Sequence, residues 1–247
     1  MTRGPLRIVV VHPDLLGTYG DGGNGLVLLR RATWRGYDAT LVQAPSHEPL
    51  PPGDLYCLGG GEDGPQVRSA TELIEDGRLV RAVEDGAVVF GVCAGFQLLG
   101  TTFPDARDQP RAGLGLLDLV TRKGPGPRAV GELTALIGAD GPPSADGAPW
   151  PKLTGFENHG GVSTLGPGSR PLARVETGVG NGDGSGIEGA WSGRVVGTYL
   201  HGPVLARNPA LADLLLSWAV GESLDPLDDH DEEALRAERL AAARSAS

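Results

Sequence analysis

The chain has 247 residues, a formal charge of −10 at neutral pH and an isoelectric point near 4.9. That is enough chain for one substantial α/β domain. The acidic balance, with no long Lys/Arg run, excludes a phosphate-tracking surface, so nucleic acid is not expected as a partner.

The first apolar run, Leu6–Val11, reads as a strand, and no stretch before it is long enough for a secretion signal or a membrane span, so a cytoplasmic protein is expected. A loop, "HPDLLGTYGDGGN", leads into a helix over about 25–35 and a second strand over 39–43. The Pro-rich "APSHEPLPPG" is a surface connection, and a third strand over 54–58 runs into Gly59–Gly61. Helices are expected over 66–75 and 78–84, then a strand over 88–92 with Gly86 as the stop before it. Between 113 and 191, short apolar runs such as 114–120 and 129–137 alternate with Gly/Pro clusters. These read as an antiparallel region decorating the main sheet, with "ETGVGNGDGSGIEG" as a hairpin loop, since no strand-to-helix context makes it a phosphate cradle. A strand over 195–200 precedes an apolar helix over 209–220, capped by Asn208 with Pro209 in its first turn. The expected fold is a mostly parallel sheet covered by helices on both faces, with added antiparallel strands. Residues 221–247 read as an acidic linker and a terminal helix with little apolar surface, either a solvated tail or a docking helix.

Two cysteines in a reducing compartment are to be explained as thiols. Cys57, in "DLYCLGGG", reads as a small buried hydrophobe. Cys93, in "VVFGVCAGFQLLG", stands between strand and helix with Gly91 two before and Gly95 two after. This is the G-x-nucleophile-x-G pattern of a sharp elbow, where glycines permit the close backbone approach and the helix start raises the thiolate fraction. The same pattern also suits a small residue at a tight junction. Gly59–Gly61 would end a neighbouring strand and put bare amides beside the elbow, so an oxyanion site from Gly60 and Ala94 is expected. With no Gly-Lys-Ser/Thr following, these glycines are not a P-loop; no ATP site and no metal site is expected in this chain. His201, at the end of "GRVVGTYLHGPV", is the candidate base, and His159 in "FENHGG" the competitor. His12, His47 and His230 look ordinary.

With Cys93, the glycine loop and His201 in this order, the sequence resembles class I glutamine amidotransferases of the cobyric-acid-synthase-like branch, to which "GTYLHGP" is typical. Better-known class I members carry His-Pro-Glu, whereas here Pro203 stands two after the histidine. "TYGDGGN" at Thr18–Asn24, "GGGEDGPQ" at Gly59–Gln66, "RAVGEL" at Arg128–Leu133 and "GFENHGG" at Gly155–Gly161 make the chain similar to the GatD family. These are glutaminase subunits of lipid II isoglutaminyl synthase. The likeness runs from about 6 to 220, and 1–220 is taken as the amidotransferase domain.

By that resemblance Cys93 is the nucleophile, His201 the acid/base and Asp21 an acid assisting them, although Asp21 also reads as a turn residue in "YGDGGN". The resemblance implies that Arg128 contacts the carboxylate of L-glutamine, a surface charge being the other reading. Gly59 and Gln97 are expected at the same substrate site. It further implies a heterodimer with the Mur-ligase-like subunit MurT. That partner would use ATP and Mg²⁺ to activate the D-glutamate α-carboxylate of lipid II at the inner membrane face. Three other readings fit the residues: a glutaminase serving a corrinoid precursor, a non-catalytic module on the same fold, and a thiol peptidase.

Overall fold

The computed structural model describes residues 5–18 and 20–245, without the side chains beyond 241. Tyr19, inside the Thr18–Asn24 motif, and Met1–Gly4 before the first strand lie outside the described residues. In chain order, β1 (Leu6–Val11), α1 (Gly23–Trp34), β2 (Ala39–Ala44), β3 (Leu55–Leu58), α2 (Asp63–Asp76), α3 (Arg78–Glu84), β4 (Val88–Val92) and α4 (Ala94–Leu99) build the first half. Then come β5 (Thr102–Pro104), β6 (Pro110–Ala112), β7 (Leu119–Lys123), β8 (Ala129–Leu136), β9 (Leu153–His159), β10 (Gly161–Leu165), β11 (Arg170–Thr177), β12 (Ile187–Ser192) and β13 (Val195–Thr198). Three helices close the chain: α5 (Val204–Arg207), α6 (Pro209–Val220) and α7 (His230–Ser245).

Nine strands form one sheet in the order β2-β1-β3-β4-β13-β12-β11-β8-β9. Pairing is parallel from β2 to β13 and antiparallel from β13 onward. The strands expected to decorate the sheet are therefore its continuation, and only β10, β7, β5 and β6 form a separate small sheet. The parallel strands are the unbroken apolar ones. All five residues of β4 and all four of β3 are buried, as a strand covered on both faces requires. Burying Val88, Val89, Phe90 and Val92 stabilises by about 1.5–3 kcal/mol each and fixes the strand that aims Cys93. The glycine-rich segment 178–186 does join antiparallel β11 and β12.

Two local expectations change. Asn208 makes no side-chain cap on α6. Its amide instead accepts from Thr154 N–H (3.0 Å) and donates to Thr154 O (2.8 Å) and Val204 O (2.7 Å), because an in-sheet neighbour offers both halves of a peptide group. The C-terminal helix exposes most of its described side chains but is pinned to the fold at one point. Arg236 is buried and donates to Lys152 O, and the buried Arg31 binds Asp213 (2.7 Å) on α6 and Asp229 (2.5 Å) on the linker.

Candidate active site

The parallel strands end on one edge of the sheet, and three of those ends meet. Cys93 follows β4 directly with φ +51° and ψ −104°, a backbone conformation rare for a residue with a side chain. The flanking glycines are what let the turn close. A Cβ on Gly91 would stand 2.9 Å from the Gly95 backbone, and one on Gly95 would stand 2.6 Å from Leu58 O of β3. Cys93 N–H donates to Thr198 O at 2.8 Å, tying the elbow to the last residue of β13. Cys57, one strand away, is enclosed on all sides, and burial pushes its thiol up to about 12, so it is a packing residue.

His201 lies three residues beyond β13, where its backbone exchanges two hydrogen bonds with Phe156 of β9 (2.8 and 3.1 Å). Its Nδ1 is 2.9 Å from Asp21 Oδ2, and both side chains are buried. Burial disfavours a charged ring, but the bond to Asp21 and then the adjoining Cys93 side chain outweigh it and raise the imidazole to about 10. With Nδ1 engaged by the carboxylate, Nε2 is the nitrogen left for the thiol. Cys93, His201 and Asp21 are thus in line, with the raised imidazole beside the thiol and the carboxylate behind it. The structure places these three together; the turn reading of Asp21 accounts for only part of its position, since its main-chain O accepts Asn24 N–H while its side chain points at His201.

The glycine trio behaves differently from expectation. Gly60 N–H donates to Asp21 Oδ2 at 3.0 Å, so the amide expected in the oxyanion site is committed to the acid. Gly59 is a packing residue whose carbonyl accepts Gly95 N–H (3.1 Å) and whose Cβ position is filled by Leu16 O at 2.2 Å; it does not line the cavity. Gly61 does. A cavity of ≈ 130 Å³ opens over Cys93, walled by Gly61, Gln66, Ala94, Gln97, Arg128 and His159. Ala94 opens α4, so its N–H has no acceptor inside the helix. A larger cavity of ≈ 520 Å³ lies at the opposite edge, beside Tyr56 and Arg194, where the strands begin.

Gln97 is fixed on both sides: Oε1 accepts from Gln66 Nε2 (3.0 Å) and Nε2 donates to Tyr199 OH (3.1 Å). The exposed Arg128 donates through Nε to Asn158 Oδ1 (3.1 Å) and through Nη2 to Asn158 O (2.9 Å). That same carbonyl is the polar neighbour of Cys93 Sγ at 4.0 Å, which places the guanidinium within one residue's reach of the thiol. His159 reaches the cavity too, but its ring is stacked on Tyr199 with centroids 3.7 Å apart, and Nδ1 is bonded to Gly161 O (2.9 Å). It is held as a wall, while His201 holds the thiol.

A family model for the CobB/CobQ-like glutamine amidotransferase domain matches residues 7–209. The chain belongs to that family. This glutamine amidotransferase is 31% identical over 241 residues to the lipid II isoglutaminyl synthase (glutamine-hydrolyzing) subunit GatD of Staphylococcus aureus (strain N315), covering 95% of this chain and 94% of that protein. Against the GatD subunit of Streptococcus pneumoniae (strain ATCC BAA-255 / R6) it is 31% identical over 218 residues, 87% of this chain and 80% of the relative. Its fold is that of a crystal structure of a glutamine amidotransferase, with a TM-score of 0.57 and 22% identity over 86% of this chain and 98% of the other.

Sequence reading misses two positioning residues of this amidotransferase. Asn24 Oδ1 accepts Leu205 N–H (3.0 Å), and a Cβ on Gly23 would meet Pro203 Cγ at 2.5 Å. The "DGGN" and "HGP" segments are therefore one packed unit joining Asp21 to His201, a pairing that motif spacing alone does not reveal. Asn158 is the other, visible only as one letter of "GFENHGG" until its carbonyl is seen between Cys93 and Arg128.

Proposed function

We propose that this chain is the glutaminase subunit of a lipid II isoglutaminyl synthase. The observation that carries the reading is a thiol lining a small cavity, backed by an imidazole raised to about 10 and a buried carboxylate. The near end-to-end likeness to a GatD subunit supports the choice of acceptor.

The chemistry follows from the residues. Arg128 holds the α-carboxylate of L-glutamine while Gln97 shapes the floor of the cavity. The Cys93 thiolate attacks the side-chain amide carbon, and the developing oxyanion is received by the Ala94 N–H together with the Gly61 amide in place of Gly60. His201 gives its proton to the departing nitrogen, ammonia leaves, and a thioester remains on Cys93. The neutral imidazole then takes a proton from water, the hydroxide attacks the thioester, and glutamate and the thiol are released. Asp21 keeps the ring oriented and its charge compensated in both halves.

Ammonia would pass to a Mur-ligase-like subunit of the MurT kind in a heterodimer. That subunit would hold ATP and Mg²⁺ and activate the D-glutamate α-carboxylate of lipid II, giving D-isoglutamine at the cytoplasmic face of the membrane. In keeping with a peripheral subunit, no helix among the described residues is long and apolar enough to cross a membrane. The test is amidation of lipid II by the co-purified pair. Cys93→Ala is expected to abolish amidation driven by glutamine while ammonium salt restores it; glutamine-driven amidation by the Cys93→Ala pair would overturn the proposal.

A further inference from the structure

The ladder between β12 and β13 pairs Ser192 with Val195, Trp191 with Val196 and Ala190 with Gly197, and then stops. It stops because Gly189 takes φ +63° with its Cβ position only 2.4 Å from Gly197 O, a close approach open to glycine alone. The next residue back, Glu188, lies level with the turn Thr198–Leu200 that leads to His201. Its side chain replaces the missing ladder. Oε1 accepts Tyr199 N–H at 2.9 Å and the Thr198 hydroxyl, whose oxygen in turn accepts Leu200 N–H at 3.0 Å. His201 N–H, the next in line, goes to Phe156 O at 2.8 Å.

Of the three backbone donors between β13 and the catalytic ring, two thus end on Glu188 or on the hydroxyl it holds. The carbonyl of that same Thr198 is the acceptor for Cys93 N–H. One carboxylate therefore anchors the short segment from which both the thiol and the imidazole take their positions.

Packing alone does not explain a carboxylate here. Glu188 has no exposed surface, and its Oε2 makes no hydrogen bond among the described residues. Burial pushes the carboxyl up to about 7, a sign that charge is disfavoured at this spot, where a leucine would fill the space at lower cost.

We infer that Glu188 is a positioning residue of the glutaminase reaction, holding the Thr198–Leu200 turn so that His201 and Cys93 stand in register. The inference rests on the glutaminase reading above. It is tested in the full chain with its partner by kcat and KM for glutamine, the rate of Cys93 alkylation by iodoacetamide, and the thermal midpoint. Glu188→Ala is expected to lower both kcat and the alkylation rate by about 10²-fold with KM within about threefold, the scale of an ångström-sized misplacement. Glu188→Gln keeps an oxygen for both donors and should stay within about threefold of wild type in each. Thr198→Val, which deletes only the bridging hydroxyl, should lower kcat by about tenfold and covers the case in which Glu188→Ala does not fold. Unchanged kcat in folded Glu188→Ala or in Thr198→Val overturns the inference, as does a Glu188→Gln protein that falls as far as Glu188→Ala. Absence of glutamine turnover in wild type would end the glutaminase reading instead; the alkylation rates would still decide whether Glu188 positions the thiol.

Discussion

Asp21→Asn removes one charge from a buried pair and leaves nearly everything else in place, since the amide oxygen can still accept from His201 Nδ1 and Gly60 N–H. In the wild-type protein the imidazole stands at about 10 against an ordinary 6.5. At about 1.4 kcal/mol per pH unit, that difference is worth roughly 5 kcal/mol of stability. The sign is that of a raised folded-state pKa: the contribution is complete below pH 6.5 and is lost as pH climbs towards 10. Asp21 supplies part of it and Cys93 the rest, so the variant should be less stable by about 3–5 kcal/mol at pH 6, the cost of unpairing a buried charge. The gap to wild type should then narrow steadily towards pH 10. Urea unfolding at several pH values measures this directly. In parallel, kcat/KM for glutamine should fall by about 10²–10⁴-fold, as in other triads that lose the acid. A stability gap constant within about 1 kcal/mol from pH 6 to 10, with kcat/KM within threefold of wild type, would refute the role given to the Asp21–His201 pair.

Gly95→Ala should lower the thermal midpoint by about 4–8 °C and cut activity, because a methyl 2.6 Å from Leu58 O forces the elbow helix off β3 at about 2 kcal/mol. Differential scanning calorimetry reads the first effect. Arg128→Ala should raise KM for glutamine by about 10–150-fold, the loss of a charged hydrogen bond, and Arg128→Lys should restore little, since a lysine cannot form the same fork. Steady-state kinetics decide it. Arg31→Ala leaves Asp229 without its buried partner and Asp213 with Arg35 alone, so limited proteolysis should cut within 222–229 well before it cuts wild type.

The elbow and the base are legible in the sequence because their signals are local. Gly91 and Gly95 flank Cys93 within five residues, and His201 ends an apolar run, so strand end, turn and helix start can be placed without knowing the fold. The first half of the sheet is legible for the same reason: strands buried on both faces are uninterrupted apolar runs. The antiparallel half is not, because alternating short strands specify pairing but not which sheet edge they extend, and β12 joins β13 through a turn that looks like any other. Gly60 reads as a free amide because sequence shows a glycine but not the carboxylate, 39 positions earlier, that its N–H faces. Glu188 and Asn24 escape for a related reason. A single polar letter in an apolar or glycine-rich context carries no signal until the partner 11 or 181 residues away is brought beside it. The terminal helix reads as solvated because the side chain that buries against the fold, Arg236, is a charged residue bonded to a main-chain carbonyl, which composition counts as surface.

Hydrolysis of glutamine by Cys93, set by His201 and Asp21, is tested most directly by measuring glutamate release from L-glutamine by the purified chain, alone and with the Mur-ligase-like partner, with Cys93→Ala as control. Release that depends on Cys93, in either sample, is the expected result. Release that persists undiminished in Cys93→Ala, or none from wild type within a demonstrably assembled complex, would contradict it.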